Sequence, residues 1–208
     1  APGEFILSAR SYSNNSLLYM RGTSMSTPFA ARIASRVLEY LTGRERNPSA
    51  SLIKSVLVVM AKPMKGKEAN FYKSQDGVLR GIREKMGLGE MDCGWGRLSL
   101  IDHELHSVGY KDRQNITQFA HRVYTFQPPV SGTYTFALVW TDPPAMVYAS
   151  PTLINNLGLR VLVLDTTGVV VGAADRLDSL NNIERVSVQV QTSHTIRVIV
   201  YVKGVITT

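Results

Sequence analysis

A serine at the start of a predicted helix is the residue of this chain with the clearest capacity for chemistry. The string Gly-Thr-Ser-Met-Ser-Thr-Pro occupies residues 22–28 and leads directly into apolar residues with helical spacing. The first backbone N–H groups of a helix lack internal partners, and the helix dipole favours negative charge there. Ser24 would therefore lie where a tetrahedral oxyanion is stabilised. By residue type alone an N-cap is the commoner explanation, because serine and threonine frequently begin helices.

The complete string is more specific than its residue types. Residues 22–30 resemble the nucleophile motif of the subtilases, the subtilisin-like serine proteases, which reads Gly-Thr-Ser-Met-(Ala/Ser)-x-Pro-x-(Ala/Val). Residues 1–3, Ala-Pro-Gly, resemble the tripeptide that precedes the nucleophile in that family. Residues 94–98, Gly-Trp-Gly-Arg-Leu, are similar to a turn near the end of its catalytic domain. The resemblance implies a serine endopeptidase that hydrolyses peptide bonds through an acyl-enzyme.

The resemblance also implies roles for three consecutive residues. Ser24 would attack the scissile carbonyl and contribute its own N–H to the oxyanion hole, supported by the Thr23 hydroxyl, and Met25 would line the site. A serine nucleophile needs an adjacent base and a carboxylate that orients the base. Subtilases carry these groups in the chain order Asp, His, Ser. Residues 1–23 contain neither histidine nor aspartate.

We therefore expect these 208 residues to be inactive alone and the full-length protein to be the enzyme. Its partners would be a peptide or protein substrate and the upstream part of its own catalytic domain. The histidines all follow the serine and are expected to be structural or surface residues; they are His103, His106, His121 and His194. The alternative function is a non-catalytic β-sandwich binding or accessory module joined to a remnant of a protease domain.

Residues 1–106 are predicted to be the C-terminal part of an α/β peptidase domain, mainly helical in this section. Apolar residues at three- and four-residue steps predict a helix from Met25 to Leu41, with Gly43 as its stop. Asn-Pro-Ser at residues 47–49 is expected to open a second helix with proline at its first position, and Pro63 ends it. Residues 62–96 have no firm period and are interpreted as mostly loop. We expect protein to cover the apolar stripe of the first helix, either the sandwich or another chain, so the fragment could self-associate.

Residues 107–208 are predicted to form an all-β antiparallel, jelly-roll-like sandwich. Alternation with a period of two marks strands near residues 133–140, 157–163, 185–190 and 195–202. A turn at residues 165–168 leads into a further strand, and no helical segment interrupts the series. Several short alternating strands separated by turns are typical of a sandwich or barrel.

Three strings in this half resemble the C-terminal β-sandwich domain of a subset of subtilases: residues 138–144, 153–159 and 181–186. Oxygen-bearing side chains in this half could bind calcium; they are Asp142, Asn155, Asn156, Asp165 and Glu184. Where the family often has Asn-Asp-Leu-Asp-Leu, this chain has Asn-Asn-Leu-Gly-Leu and loses both charges. We therefore expect these five residues to lie in turns and to bind no metal, and we expect the chain to need no cofactor.

Composition excludes several functional classes. Apolar residues make up 44% of the chain and charged residues 19%, as in globular proteins. The net charge of +7 is spread along the chain without an aromatic nucleic-acid motif, so we expect no nucleic-acid partner. No apolar run approaches the length of about 18 residues that a membrane span needs. Cys93 is the sole cysteine and cannot form an internal disulfide.

Two Asn-x-Ser/Thr triplets, at residues 14–16 and 115–117, favour a secretory location.

Overall fold

A computed structural model places the chain in two compact units. The first comprises Ala1–Asn47 and Met60–Val108, and the second comprises Pro48–Val59 and Gly109–Thr208. The structure describes residues 3–12, 14–44, 47–62, 94–99, 105–150, 152–176 and 178–205. Cys93 and most of the predicted loop over residues 62–96 lie outside the described residues. The predicted domain boundary after residue 106 stays a prediction.

The first unit begins with a β-hairpin that the sequence did not indicate. Strands β1 (Ile6–Ala9) and β2 (Leu17–Met20) pair antiparallel, with Ile6 opposite Met20. All four residues of β2 are apolar, so no period of two distinguishes the strand. This part of the chain was predicted to be mainly helical, and the hairpin corrects that description.

Helix α1 (Thr23–Thr42) follows the hairpin and is the first of the two predicted helices. Gly43 comes directly after its last residue, as predicted. The C-terminal half of the helix buries Val37 and Leu41, which are 0% and 1% exposed, whereas Phe29 near the other end is 36% exposed. Within the described residues the apolar stripe is therefore covered mainly at its C-terminal end.

Helix α2 (Ala50–Met60) begins two residues later than the sequence predicts. Ser49 Oγ accepts a hydrogen bond from the Leu52 N–H at 3.0 Å, which caps the helix. The carboxylate of Asp112 in turn accepts hydrogen bonds from the Ser49 N–H at 2.9 Å and from its hydroxyl at 2.6 Å. The start moves from Pro48 because Asp112, 63 residues further along, fixes Ser49 as the cap.

Antiparallel strands in the second unit form two sheets, which confirms the all-β prediction for this half. The strands are β3 (His121–Phe126), β4 (Gly132–Val139), β5 (Asn155–Leu164), β6 (Val170–Arg176), β7 (Ile183–Val190) and β8 (Thr195–Val205). One sheet has the order β3-β8-β5-β6, and the other pairs β4 with β7. Strand β3 is an edge strand that the sequence analysis did not predict, since most of its residues are exposed and only alternate ones reach the core.

Apolar side chains from both sheets fill one core. Its buried members are Leu159, Val161, Val163, Val186, Val188, Val190, Ile196 and Val198. Each such side chain contributes about 1.5–3 kcal/mol when it is fully removed from water. The alternation in the sequence predicted the inward side of β5 and β7. Among the described residues, no helix combines the length and apolar character that crossing a membrane requires.

Candidate active site

Ser24 lies in the first turn of α1 with its side chain exposed. The residue before the helix, Gly22, has φ 143° and ψ 171°, a conformation that residues with a side chain rarely adopt. Glycine therefore lets the chain turn from β2 directly into α1. The three predicted site residues follow in sequence, with Thr23 and Ser24 exposed and Met25 half-buried.

Two backbone N–H groups of this turn have no acceptor in the part of the chain that the structure describes. The Gly22 carbonyl accepts hydrogen bonds from the N–H groups of Met25 at 3.1 Å and Ser26 at 3.4 Å. The N–H groups of Thr23 and Ser24 remain free. The first turn contains no acidic residue. Free donors at the positive end of a helix dipole can bind a developing negative charge.

The helix start is in direct contact with Gly3. The Gly22 N–H donates a hydrogen bond to the Gly3 carbonyl at 2.7 Å. A Cβ atom at Gly3 would overlap Ser26 Oγ and lie 2.8 Å from the Gly22 carbonyl oxygen, so glycine alone fits here. The structure thus joins Gly3, the last residue of the Ala-Pro-Gly string, to the serine motif, a contact that the sequence did not reveal.

The backbone around Ser24 has a second unusual feature. Pro28 lies inside α1 and has no N–H, so it cannot donate to the Ser24 carbonyl four residues earlier. The neighbouring Thr23 carbonyl accepts a hydrogen bond from the Thr27 hydroxyl at 2.9 Å. The Ser24 carbonyl thus loses its helical backbone partner, and a side-chain bond at Thr23 adds to the first turn.

Of the three described histidines, two have a contact that the structure shows, and neither of these contacts involves Ser24. His106 lies edge-on to Tyr40 with ring centroids 5.1 Å apart, and His194 Nδ1 accepts a hydrogen bond from the Gln191 N–H at 3.1 Å. His103 lies outside the described residues. Within those residues the Ser24 hydroxyl makes no hydrogen bond. The described turn therefore combines an exposed serine hydroxyl with free N–H donors, and no described base is hydrogen-bonded to that hydroxyl.

The three strings of the second half meet at one end of the sandwich. The carboxylate of Asp142 accepts hydrogen bonds from the Ile154 N–H at 2.6 Å and from the backbone and side-chain N–H groups of Asn155 at 2.9 Å each. Trp140 Nε1 donates to the Asn155 carbonyl at 3.0 Å, and Asn182 Nδ2 donates to the Trp140 carbonyl at 2.7 Å. These bonds tie together three segments that are separate in sequence.

The oxygen-bearing residues considered for calcium are only partly brought together. Asp142 and Asn155 are hydrogen-bonded to each other, whereas Asp165 accepts hydrogen bonds within its own turn, from Thr167 and the Val169 N–H. Hydrogen bonds from the Thr167 side chain and the Val169 backbone lower the pKa of Asp165. Across the described residues, no cluster of three or more His, Cys, Asp or Glu side chains could hold a metal ion.

Glu184 is a buried acid, a property that the sequence analysis missed. It is 0% exposed, and one carboxylate oxygen accepts a hydrogen bond from the Asp178 N–H at 2.7 Å while the other lies 3.8 Å from Arg176 Nε. Burial raises the pKa of Glu184 to about 7. The hydrogen bond from the Asp178 N–H and the charge of Arg176 oppose this shift, whereas the charges of Asp178 and Asp175 add to it. Alternation along β7 could have revealed the burial, because Glu184 lies on the same side as the core residue Val186.

Comparison with known proteins gives two distant relatives. No family model matches the chain. The chain is 26% identical over 254 aligned residues to Serine protease/ABC transporter B family protein tagB of Dictyostelium discoideum, covering 88% of the chain and 13% of that protein. It is also 26% identical over 217 aligned residues to Serine protease/ABC transporter B family protein tagD of the same organism. This alignment covers 77% of the chain and 12% of the relative. The chain thus spans about an eighth of these relatives, and the similarity supports a loose relation to serine proteases.

Proposed function

We propose that this chain is a section of a subtilisin-like serine endopeptidase, with the nucleophile Ser24 in residues 1–106 and a jelly-roll-like accessory domain in residues 107–208. One observation carries the proposal. The string that resembles the subtilase motif forms a helix start at which the exposed Ser24 hydroxyl shares the first turn with the N–H groups of Thr23 and Ser24, which have no acceptor within the described residues. The names of both relatives, which include "serine protease", support the same class.

In the proposed mechanism, Ser24 Oγ attacks the carbonyl carbon of a peptide bond, and its proton passes to a histidine from the rest of the catalytic domain. The Ser24 N–H stabilises the oxyanion that forms, and the helix dipole assists it. Met25, half-buried beside the nucleophile, lines the site. The acyl-enzyme is then hydrolysed by water. These steps require no cofactor.

Exposed apolar residues in the hairpin and directly before it support the existence of a larger domain. Phe5 is 74% exposed, and Leu17 and Tyr19 are each 64% exposed. An isolated two-stranded hairpin is only marginally stable, and contiguous apolar surface commonly marks an interaction site. We therefore propose that the upstream part of the catalytic domain covers the hairpin. Where the upstream part is missing, two copies of this chain would associate through the exposed hairpin.

Labelling with a fluorophosphonate probe tests the proposal. The full-length protein should react, and Ser24→Ala should abolish the reaction. The 208-residue chain should not react, because a serine hydroxyl is a weak nucleophile without a base. Ser35→Ala is the matched control, since the hydroxyl of this exposed serine of α1 donates, among the described residues, only to the Ala31 carbonyl. A full-length protein that is unreactive, or that reacts equally well after Ser24→Ala, refutes the proposal.

A non-catalytic sandwich module is the second candidate. Two observations favour it: within the described residues the Ser24 hydroxyl has no hydrogen-bonded base, and the sandwich has a core of its own. The sequence encoded upstream discriminates between the candidates. Motifs Asp-(Ser/Thr)-Gly and His-Gly-Thr there would favour the enzyme, and their absence from the gene would favour the module.

A further inference from the structure

Two Asn-x-Ser/Thr triplets occur in the chain, and the structure distinguishes between them. This pattern is the acceptor for N-linked glycans, which need an accessible amide nitrogen and surface space for a bulky sugar. One triplet, Asn-Asn-Ser at residues 14–16, lies at the turn between β1 and β2. The other, Asn-Ile-Thr at residues 115–117, lies ahead of β3 in the second unit.

The Asn115 triplet lies on the surface outside regular secondary structure. Asn115 and Thr117 are exposed, and Ile116 between them is half-buried. The backbone carbonyl of Asn115 accepts a hydrogen bond from Arg122 Nε at 2.5 Å, and that of Thr117 accepts one from the Ala120 N–H at 3.1 Å. Within the described residues, neither the Asn115 amide nor the Thr117 hydroxyl is hydrogen-bonded. Both groups that a transferase must engage are therefore accessible.

One contact that flanks this triplet forms late during synthesis of the chain. The Ala120 carbonyl accepts a hydrogen bond from the Val202 N–H at 3.3 Å. Because Val202 is made long after Asn115, the segment stays open on the nascent chain, and non-local contacts of this kind form slowly. Asn115 is thus accessible both before and after folding.

The Asn14 triplet differs at its hydroxyl position. Ser16 Oγ is buried and has no hydrogen-bond partner in the described structure. The Ser16 carbonyl accepts a hydrogen bond from the Arg10 N–H at 3.0 Å, which closes the turn. In the folded chain the hydroxyl that this triplet requires is therefore turned inward.

We propose that Asn115 is an N-glycosylation site of this chain and that Asn14 is not. Asn115 Nδ2 would attack C1 of the first sugar of a lipid-linked oligosaccharide. A C–N bond forms, the bond from C1 to the lipid pyrophosphate breaks, the pyrophosphate leaves with the electron pair, and the amide releases one proton. The inference concerns passage through the secretory pathway and is independent of the chemistry of Ser24.

Secretion of the 208-residue chain from eukaryotic cells behind a cleavable leader tests the site. Both the secreted and the cell-retained protein are analysed, so that a folding defect does not hide the result. We expect one glycan, removed by peptide N-glycosidase with conversion of Asn115 to aspartate in the mass spectrum. Asn115→Gln and Thr117→Ala should remove the glycan, whereas Thr117→Ser and Asn14→Gln should keep it. An unmodified wild-type chain, or a glycan that Asn14→Gln removes, overturns the proposal.

Discussion

Replacing Glu184 with glutamine should flatten the pH dependence of unfolding of the second unit. The carboxyl group is 0% exposed, and it has the Asp178 N–H at 2.7 Å on one oxygen and Arg176 Nε 3.8 Å from the other. No hydrogen bond within the described residues satisfies that second oxygen. Burial raises the pKa of Glu184 from 4.5 to about 7, so the folded state holds this proton more tightly than the unfolded state does.

The sign and the size of the effect follow from the two pKa values. Below pH 4.5, Glu184 is protonated in both states, and above about pH 7 it is ionised in both. Between these values the folded state binds more protons, so the free energy of unfolding falls as pH rises. One pKa unit corresponds to about 1.4 kcal/mol, which gives a total loss of about 3 kcal/mol. With a urea m-value of about 1–3 kcal/mol/M, the unfolding midpoint should fall by about 1–3 M.

Urea unfolding of the wild type and Glu184→Gln at several pH values, followed by circular dichroism, measures this difference. Comparing the two proteins cancels the titration of groups that do not interact with Glu184. Asp165→Asn is the matched control, because hydrogen bonds from the Thr167 side chain and the Val169 backbone lower the pKa of this half-buried acid, so it does not titrate between pH 5 and pH 7. In the control, the free energy of unfolding should fall with pH as steeply as it does in the wild type. Equal slopes for the wild type and Glu184→Gln between pH 5 and pH 7 would refute the reasoning.

Two further substitutions test contacts at the candidate sites. Gly3→Ala should destabilise the first unit by about 1–3 kcal/mol, because the new Cβ overlaps Ser26 Oγ. Gly109→Ala, which has open space around it, should barely change the melting temperature, and equal shifts for both variants would contradict the predicted clash. Asp142→Asn should lower the free energy of unfolding of the second unit, measured in urea, by about 1–3 kcal/mol. The reason is that an amide cannot accept all the hydrogen bonds that residues 154 and 155 donate. Unchanged stability would show that this network contributes little.

Periodicity in the sequence predicts most of the regular structure. The apolar stripe gives α1, and alternation gives β4, β5, β7 and β8, because these patterns reflect one buried face. The pattern fails for β2, in which every residue is apolar, and for the edge strand β3, which buries little. It also misplaces the start of α2, since the cap there depends on a distant aspartate.

The sequence by itself determined that Ser24 begins a helix, because the glycine before it and the apolar stripe after it act within a few residues. Only the tertiary structure decided that Gly3 contacts this helix start and that Asp142 binds residues 154 and 155. It also decided that Glu184 resists ionisation. These properties depend on which distant segments pack together, and the pairing of segments is set by the shared core of the fold rather than by local pattern.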